Sequence, residues 1–180
     1  MPKVYENKIV YDFPHVHTLN CLHRKYPNPF ATHVLSVDTL ARTIDPETGI
    51  LRTERVLGIQ QGAPKWISKL FSLPPTAYVR EIVFVDPSTL KATCMSVNLS
   101  LAQYVSCLEL ITYTPNPAPG EGETGHAAPS TLFHQRATIY SGFPTRLVAR
   151  RIEKASVERF GANAGLGRRG FEWVLKGGEE

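Results

Sequence analysis

The sequence predicts an α+β fold: one curved antiparallel sheet of seven strands with a long C-terminal helix lying across its concave face. Three observations predict it. Seven segments show period-two apolar patterning or β-branched and aromatic enrichment, each bounded by Pro, Gly or Asp turns. The connections between them are short, which favours antiparallel neighbours over crossovers. After Phe143 the strand pattern stops, and Val148, Ile152 and Ala155 recur at i, i+4 and i+7, one face of a helix. A curved sheet closed by one long helix leaves a cavity between them, and cavities so placed take apolar ligands.

From Lys3 to Phe13 the apolar residues Ile9, Tyr11 and Phe13 alternate with polar ones, as in a strand with one buried face. Pro14 opens a short helix over HVHTLNCLHRKY. Pro27 ends it, because an interior proline removes a helix hydrogen bond and clashes with the preceding turn. Strands follow at about His33 to Ile44 and Leu51 to Gly58, joined by Asp45-Pro46-Glu47-Thr48-Gly49, whose Pro and Gly supply the dihedrals of a hairpin turn.

In PKWISKLFSL, Trp66, Ile67, Leu70 and Phe71 fall at one-turn spacing before Pro74 and Pro75 stop the segment. It reads either as a core helix or as a lid with an apolar underside, moving between flanks rich in Gly and Pro. In TAYVREIVFVD, Val79, Val83 and Val85 alternate against Arg80, Ile82 and Phe84, and an Asp86-Pro87-Ser88 turn leads to a strand from Leu90 to Leu99. Another runs from about Gln103 to Thr114. Pro115 to Ser130 is too rich in Pro and Gly to pack and is expected to be a mobile connection. LFHQRATIYSG resumes the sheet, and the final helix spans Phe143 to Lys176, with bends expected near Gly161, Gly165 and Gly167. Residues 1–176 form a single domain in this reading, and 177–180 a short tail.

At 180 residues and 42% hydrophobic composition the chain can fill one core. No stretch is apolar enough to span a bilayer, so the chain reads as soluble. The formal charge of +4 favours anionic partners without choosing among nucleic acid, acidic lipid and acidic protein. Cys21, Cys94 and Cys107 are odd in number and lack framework spacing, so they are expected to be reduced and mostly buried. MPKVYENKIVYDF has neither a secretory nor a presequence character, which by itself suggests the cytosol.

His15, His17, Cys21 and His23 are near in sequence, but only His17 and Cys21 share a helix face and no second pair completes a tetrahedral set, so no metal is expected. No GxSxG elbow, GxxxxGK[ST] loop or HExxH motif supports catalysis. GANAGLGRRG follows a helix rather than a strand, which argues against a dinucleotide loop. Basic residues concentrate between 143 and 176. There Arg146, Arg150, Arg151, Lys154, Arg159, Arg168, Arg169 and Lys176 face only Glu153, Glu158 and Glu172; this is either a solvated helix face or one attracted to anionic membranes. Lys25, Arg42 and Arg55 lie among apolar neighbours, and pattern favours their pointing outward over their holding an anionic group inside.

KYPNPFATHVLSVDTLAR, Lys25 to Arg42, resembles the PRELI domain family of intramitochondrial lipid-transfer proteins. RTERVLGIQQGAPKWI, YVREIVFVDP, ITYTPNP and NAGLGRRGFEWVL look like further family blocks in the right order, and QGAPKWI and NAGLGRRGFEWV resemble its slowmo-like branch. The resemblance implies a helix-grip, START-like fold around a lipid cavity. The cargo it implies is phosphatidylserine or, by the same mechanism, phosphatidic acid, moved without catalysis and with no cofactor besides that cargo.

Carried onto this sequence, the resemblance implies headgroup contacts from Lys25, His33, Arg55 and Asn163. It makes Gly58 to Leu73 a lid, with Gly58, Gly62, Trp66, Ile67, Leu70 and Phe71 as its lid and membrane-contact residues, and Arg150, Arg151, Lys154 and Arg159 membrane-facing. Ala155, Gly165 and Leu166 depart from the family pattern, which often has Trp at the first position and Lys at the others. The implied location is the mitochondrial intermembrane space, in place of the cytosol, and the implied partner is a small twin-Cx9C helical-hairpin protein, with anionic membranes the docking surface. Enzyme and anion- or RNA-binding readings remain as alternatives without supporting motifs.

Overall fold

Alternating side chains build the strands β1 (Lys3–Tyr11), β2 (Val34–Ile44), β3 (Leu51–Gln60), β4 (Thr76–Asp86), β5 (Lys91–Asn98), β6 (Val105–Pro115) and β7 (Thr131–Ser141). The helices are α1 (His15–Cys21), α2 (Lys65–Leu70) and α3 (Arg146–Leu175), and a 3-10 turn at Leu22–Arg24 extends α1. The computed structural model describes residues 2–60, 62–63, 65–70, 72–116 and 129–178, apart from the side chain of Leu70. Phe71 and residues 117–128, most of the connection expected to be mobile, lie outside the described residues, as do 179–180 of the tail.

All seven strands form one sheet in the order β1-β7-β6-β5-β4-β3-β2, and every neighbouring pair is antiparallel. Strands β2 to β7 form a meander, and β1 joins beside β7, so the first strand and the last pair with each other. The turns follow from their residues. Asp45 Oδ1 accepts the Glu47 and Thr48 N–H groups at 2.8 and 3.0 Å, and Gly49 takes the positive φ that closes the hairpin. Hydrogen bonds from Ser88 and Thr89 likewise hold the Asp86 carboxyl down at about 2 and fix the β4–β5 turn.

Helix α3 is helical without interruption through Gly161, Gly165 and Gly167. Its C-terminal carbonyls are met by local chemistry: the Gly178 N–H donates to Trp173 at 3.0 Å, and the His17 ring donates to the Leu175 carbonyl at 2.8 Å. At that end the concave space is filled. Tyr11, Tyr113, Phe133 and Phe171 meet edge to face with centroids 5.2 to 5.9 Å apart, and Leu19, Cys21, Leu22, Val83, Ala92 and Leu175 pack around them. Burial of such aromatic side chains contributes about 3 kcal/mol each at the upper end.

The YPNP turn is the joint between this core and α3. Asn28 is buried, accepts the Phe30 and Ala31 N–H groups at 3.0 and 2.9 Å, and donates to the Lys25 carbonyl at 2.8 Å. It lies so close to Gly170 of α3 that a Cβ there would stand 2.9 Å from Asn28 Cγ. The glycine therefore lets the turn and the helix meet.

Candidate functional site

Where the aromatic core stops, the space between sheet and helix opens into a cavity of about 760 Å³. Its walls are mostly apolar: Ile9, Leu57, Ile59, Val79 and Val105 from the sheet, Ile67 from α2, and Ile152 and Phe160 from α3. Ile67 is 5% exposed, whereas Trp66 beside it is 45% exposed and stands with Lys65 and Lys69 on the outer side of α2. Adjacent helix residues are roughly 100° apart, so the two cannot share a face. The short helix thus covers the cavity with Ile67 and turns its indole outward, so of the two readings of this segment the core helix does not hold for Trp66.

Lys25 stands on the aromatic floor of the cavity. Its ammonium is 5.8 Å from the centre of the Phe171 ring and 5.4 Å from that of Tyr26. Burial pulls its pKa down, but Tyr26, Tyr113, Tyr11 and the Glu81 carboxylate pull harder, and the balance lies well above its ordinary value. Burial pushes the Tyr11 phenol up to about 12. Lys25 faces inward, against the outward expectation from pattern; Arg42 is exposed, in line with it.

Arg55 also faces inward and is 4% exposed. Its guanidinium donates through Nε at 2.8 Å, and through Nη2, to Glu81 Oε1 across the β3–β4 pair, where Arg55 and Glu81 are register partners. Glu81 lines the cavity and Arg55 stands behind it, so the arginine expected at the headgroup is already matched to a carboxylate. His33 and Asn163 do line the cavity. Burial, then Arg159 and Lys25, lowers the His33 pKa, so its ring is neutral at neutral pH.

The lid and basic positions are divided. Gly58 belongs to β3, paired with Ser36 and Tyr78, and is not part of a lid. Gly62 and Ile67 line the cavity, and Leu70 ends α2. Arg150, Arg151 and Lys154 are exposed on α3. Arg159 instead turns into the cavity mouth, where it donates to the Gln60 carbonyl at 3.3 Å, and a Cβ on Gly62 would overlap its guanidinium. Absence of a side chain at Gly62 is what admits it.

Sequence reasoning missed a polar row on the cavity floor. Arg55, Glu81, Ser96 and Glu109 are successive cross-strand partners on β3, β4, β5 and β6, and Gln135 of β7 adjoins the row. Ser96 donates to Glu109 at 2.7 Å, and the Gln135 amide donates to its other oxygen. Alternation could have found both carboxylates, since Glu81 shares a face with Val79 and Val83, and Glu109 with Ile111 and Tyr113. Among the described residues no group of His, Cys, Asp and Glu is arranged to hold a metal. His15 is spent on the Leu90 carbonyl and the Thr131 hydroxyl, and His17 on α3.

The description "PRELI-like family" covers the sequence model that matches residues 17–180. The mitochondrial protein UPS2 of Saccharomyces cerevisiae is 33% identical over 174 residues, which is 97% of this chain and 73% of UPS2. A UPS-like protein of Schizosaccharomyces pombe is 33% identical over 97% of this chain and 89% of its own length. The slowmo homolog of Dictyostelium discoideum is 33% identical over 83% of this chain and 60% of its own length. Among solved structures, TTHA0849 of Thermus thermophilus superposes with a TM-score of 0.58 at 14% identity, covering 99% of this chain and 100% of that one. A START superfamily protein of Mycobacterium smegmatis does so at 0.52 and 11%, covering 97% of each. At such identities the likeness shows the fold alone, the START-like helix grip.

Proposed function

Because this chain belongs to the PRELI-like family, we propose that it carries one phospholipid at a time between mitochondrial membranes across the intermembrane space, leaving the cargo chemically unchanged. The observation that supports this most is the cavity itself: apolar walls able to take acyl chains, ending on a floor where the Lys25 ammonium stands over aromatic rings. A lipid entering headgroup first brings its phosphate to that cation while its chains replace water along the walls, each buried methylene contributing about 0.8 kcal/mol. Phosphatidylserine is the favoured cargo and phosphatidic acid the second. Lysine is a point charge, where arginine would offer a two-pronged fork to a phosphate dianion.

Exposed Trp66, Lys65 and Lys69 on α2, with Arg150, Arg151 and Lys154 on α3, supply an amphipathic and basic surface for docking on anionic membranes. Opening of the α2 segment then exposes the cavity, one lipid leaves the bilayer, and the reverse steps release it at a second membrane. A small twin-Cx9C helical-hairpin protein is the proposed partner that keeps the domain in the intermembrane space and shields its apolar surface, where Leu35, Leu40 and Ile44 stand 57 to 68% exposed on edge strand β2. No cofactor other than the cargo takes part.

The test is native mass spectrometry of the protein re-isolated from vesicles of phosphatidylcholine, phosphatidylserine and phosphatidic acid. One intact anionic phospholipid per chain is expected. A chain that returns empty contradicts the proposal, a chemically altered lipid points to an enzyme, and salt-dependent oligonucleotide binding without lipid points to a nucleic-acid module.

A further inference from the structure

The charges on the cavity wall fall into matched and unmatched sets. Glu81 is paired with Arg55, Glu158 with Lys154 at 3.7 Å, and Arg168 with Glu172 at 2.7 Å. Three remain. Lys25 packs against aromatic rings and makes no ion pair among the described residues, Arg159 meets the neutral Gln60 carbonyl, and Glu109 meets the neutral donors Ser96 and Gln135. Among the described residues no cation stands within ion-pair distance of Glu109. A carboxylate has about four acceptor sites, and two neutral donors leave the others directed at the cavity it lines.

The cation of a ligand can take those open acceptor sites and pair with the carboxylate. Lys25 and Glu109 line the same cavity.

We propose that Glu109, held by Ser96 and Gln135, is a specificity-determining residue that receives the primary ammonium of an aminophospholipid headgroup while Lys25 takes the phosphate. The assignment rests on the lipid-carrier reading. A phosphatidylserine headgroup carries an ammonium beside its phosphate, the complement of Glu109 and Lys25. Phosphatidic acid has no cation, and its headgroup would meet Glu109 as a like charge. Glu81 is exempt from this role because Arg55 already neutralises it.

The experiment measures liposome-to-liposome transfer of phosphatidylserine, N-acetylated phosphatidylserine and phosphatidic acid by the full chain and by Glu109→Gln and Glu109→Asp. N-acetylation removes the ammonium and keeps the phosphate and carboxylate. The native chain is expected to prefer phosphatidylserine over its N-acetylated form by roughly tenfold or more, the scale of one charged hydrogen bond. Glu109→Gln, which keeps the shape and can still accept from Ser96, should abolish that preference and raise phosphatidic acid transfer relative to phosphatidylserine. Glu109→Asp should retain the preference, with circular dichroism reporting that both variants fold.

Equal handling of the two phosphatidylserine forms by the native chain overturns the assignment of Glu109 without needing any variant, and so does a folded Glu109→Gln protein with unaltered preference. In either case the lipid-carrier reading stands. Transfer of none of the three lipids overturns that reading and the assignment together.

Discussion

Arg55 owes its place in the interior to Glu81. Two hydrogen bonds on one carboxylate oxygen fix the guanidinium, and removing either partner leaves a charge with little water. Arg55→Ala is therefore expected to lower stability by about 3 kcal/mol, measured by urea unfolding. A loss near zero would show that solvent reaches Glu81 freely. The histidines set a different dependence. Burial, with Arg55 and Arg42 beside it, lowers the His23 pKa, and neither ring nitrogen has a hydrogen-bond partner among the described residues. His33 is lowered in the same direction.

The sign follows from proton uptake. Above the ordinary value of 6.5 both states hold neutral rings and the histidines contribute nothing to the pH dependence. As pH falls through that value the unfolded chain binds protons that the folded chain refuses, so stability drops until the folded values are passed. The melting temperature should fall between about pH 7.5 and 5.5, and His23→Gln should flatten the slope. Identical slopes in the two proteins would contradict the burial of His23.

At the scale of elements, α3 contains two glycines whose substitution should have opposite effects. A Cβ on Gly165 meets nothing within 4 Å, so Gly165→Ala removes only the entropic cost of an interior helix glycine. The melting temperature should rise by about 2–4 °C. A Cβ on Gly170 meets Asn28, which cannot give way because two backbone N–H groups depend on its carbonyl oxygen. Gly170→Ala should lower stability by about 2 kcal/mol, read in the same melts. A neutral result there would mean that the YPNP turn is not pinned to the helix.

The elements themselves were legible because strand alternation and Pro and Gly punctuation are local signals. TAYVREIVFVD sorts its inner and outer residues by period alone, and the first short helix ends before Pro27 as its chemistry requires. What is not local was lost. Arg55 and Lys25 sit among apolar neighbours, and period two cannot say which face of a sheet will be concave or that Glu81 stands opposite Arg55. A helix of 6 residues, Lys65–Leu70, is too short for one-turn spacing to define its buried stripe, so Ile67 and Trp66 are sorted only by the fold around them. Glu109 was legible as a carboxylate on the face of Ile111 and Tyr113, yet its meaning depends on a cavity the sequence does not show.

For the molecule as a whole, the helix grip divides its concave space into a filled end and an open end. Aromatic rings close the first, and their upper surface carries Lys25 as the floor of the second. One architecture therefore stabilises the domain and presents a cation at the bottom of an apolar cavity. Truncating the shared ring with Phe171→Ala should cost about 3–5 kcal/mol in stability and also remove the surface on which Lys25 rests.

Transport of a lipid between membranes tests the account most directly. Donor liposomes carrying a self-quenched fluorescent phosphatidylserine, unlabelled acceptors and the protein with the proposed helical-hairpin partner should give dequenching at a rate proportional to protein. Lys25→Glu, which reverses the charge on the cavity floor, should reduce that rate by at least tenfold. A native protein that leaves the fluorescence at its unassisted rate, with phosphatidylserine and phosphatidic acid alike, would contradict the account.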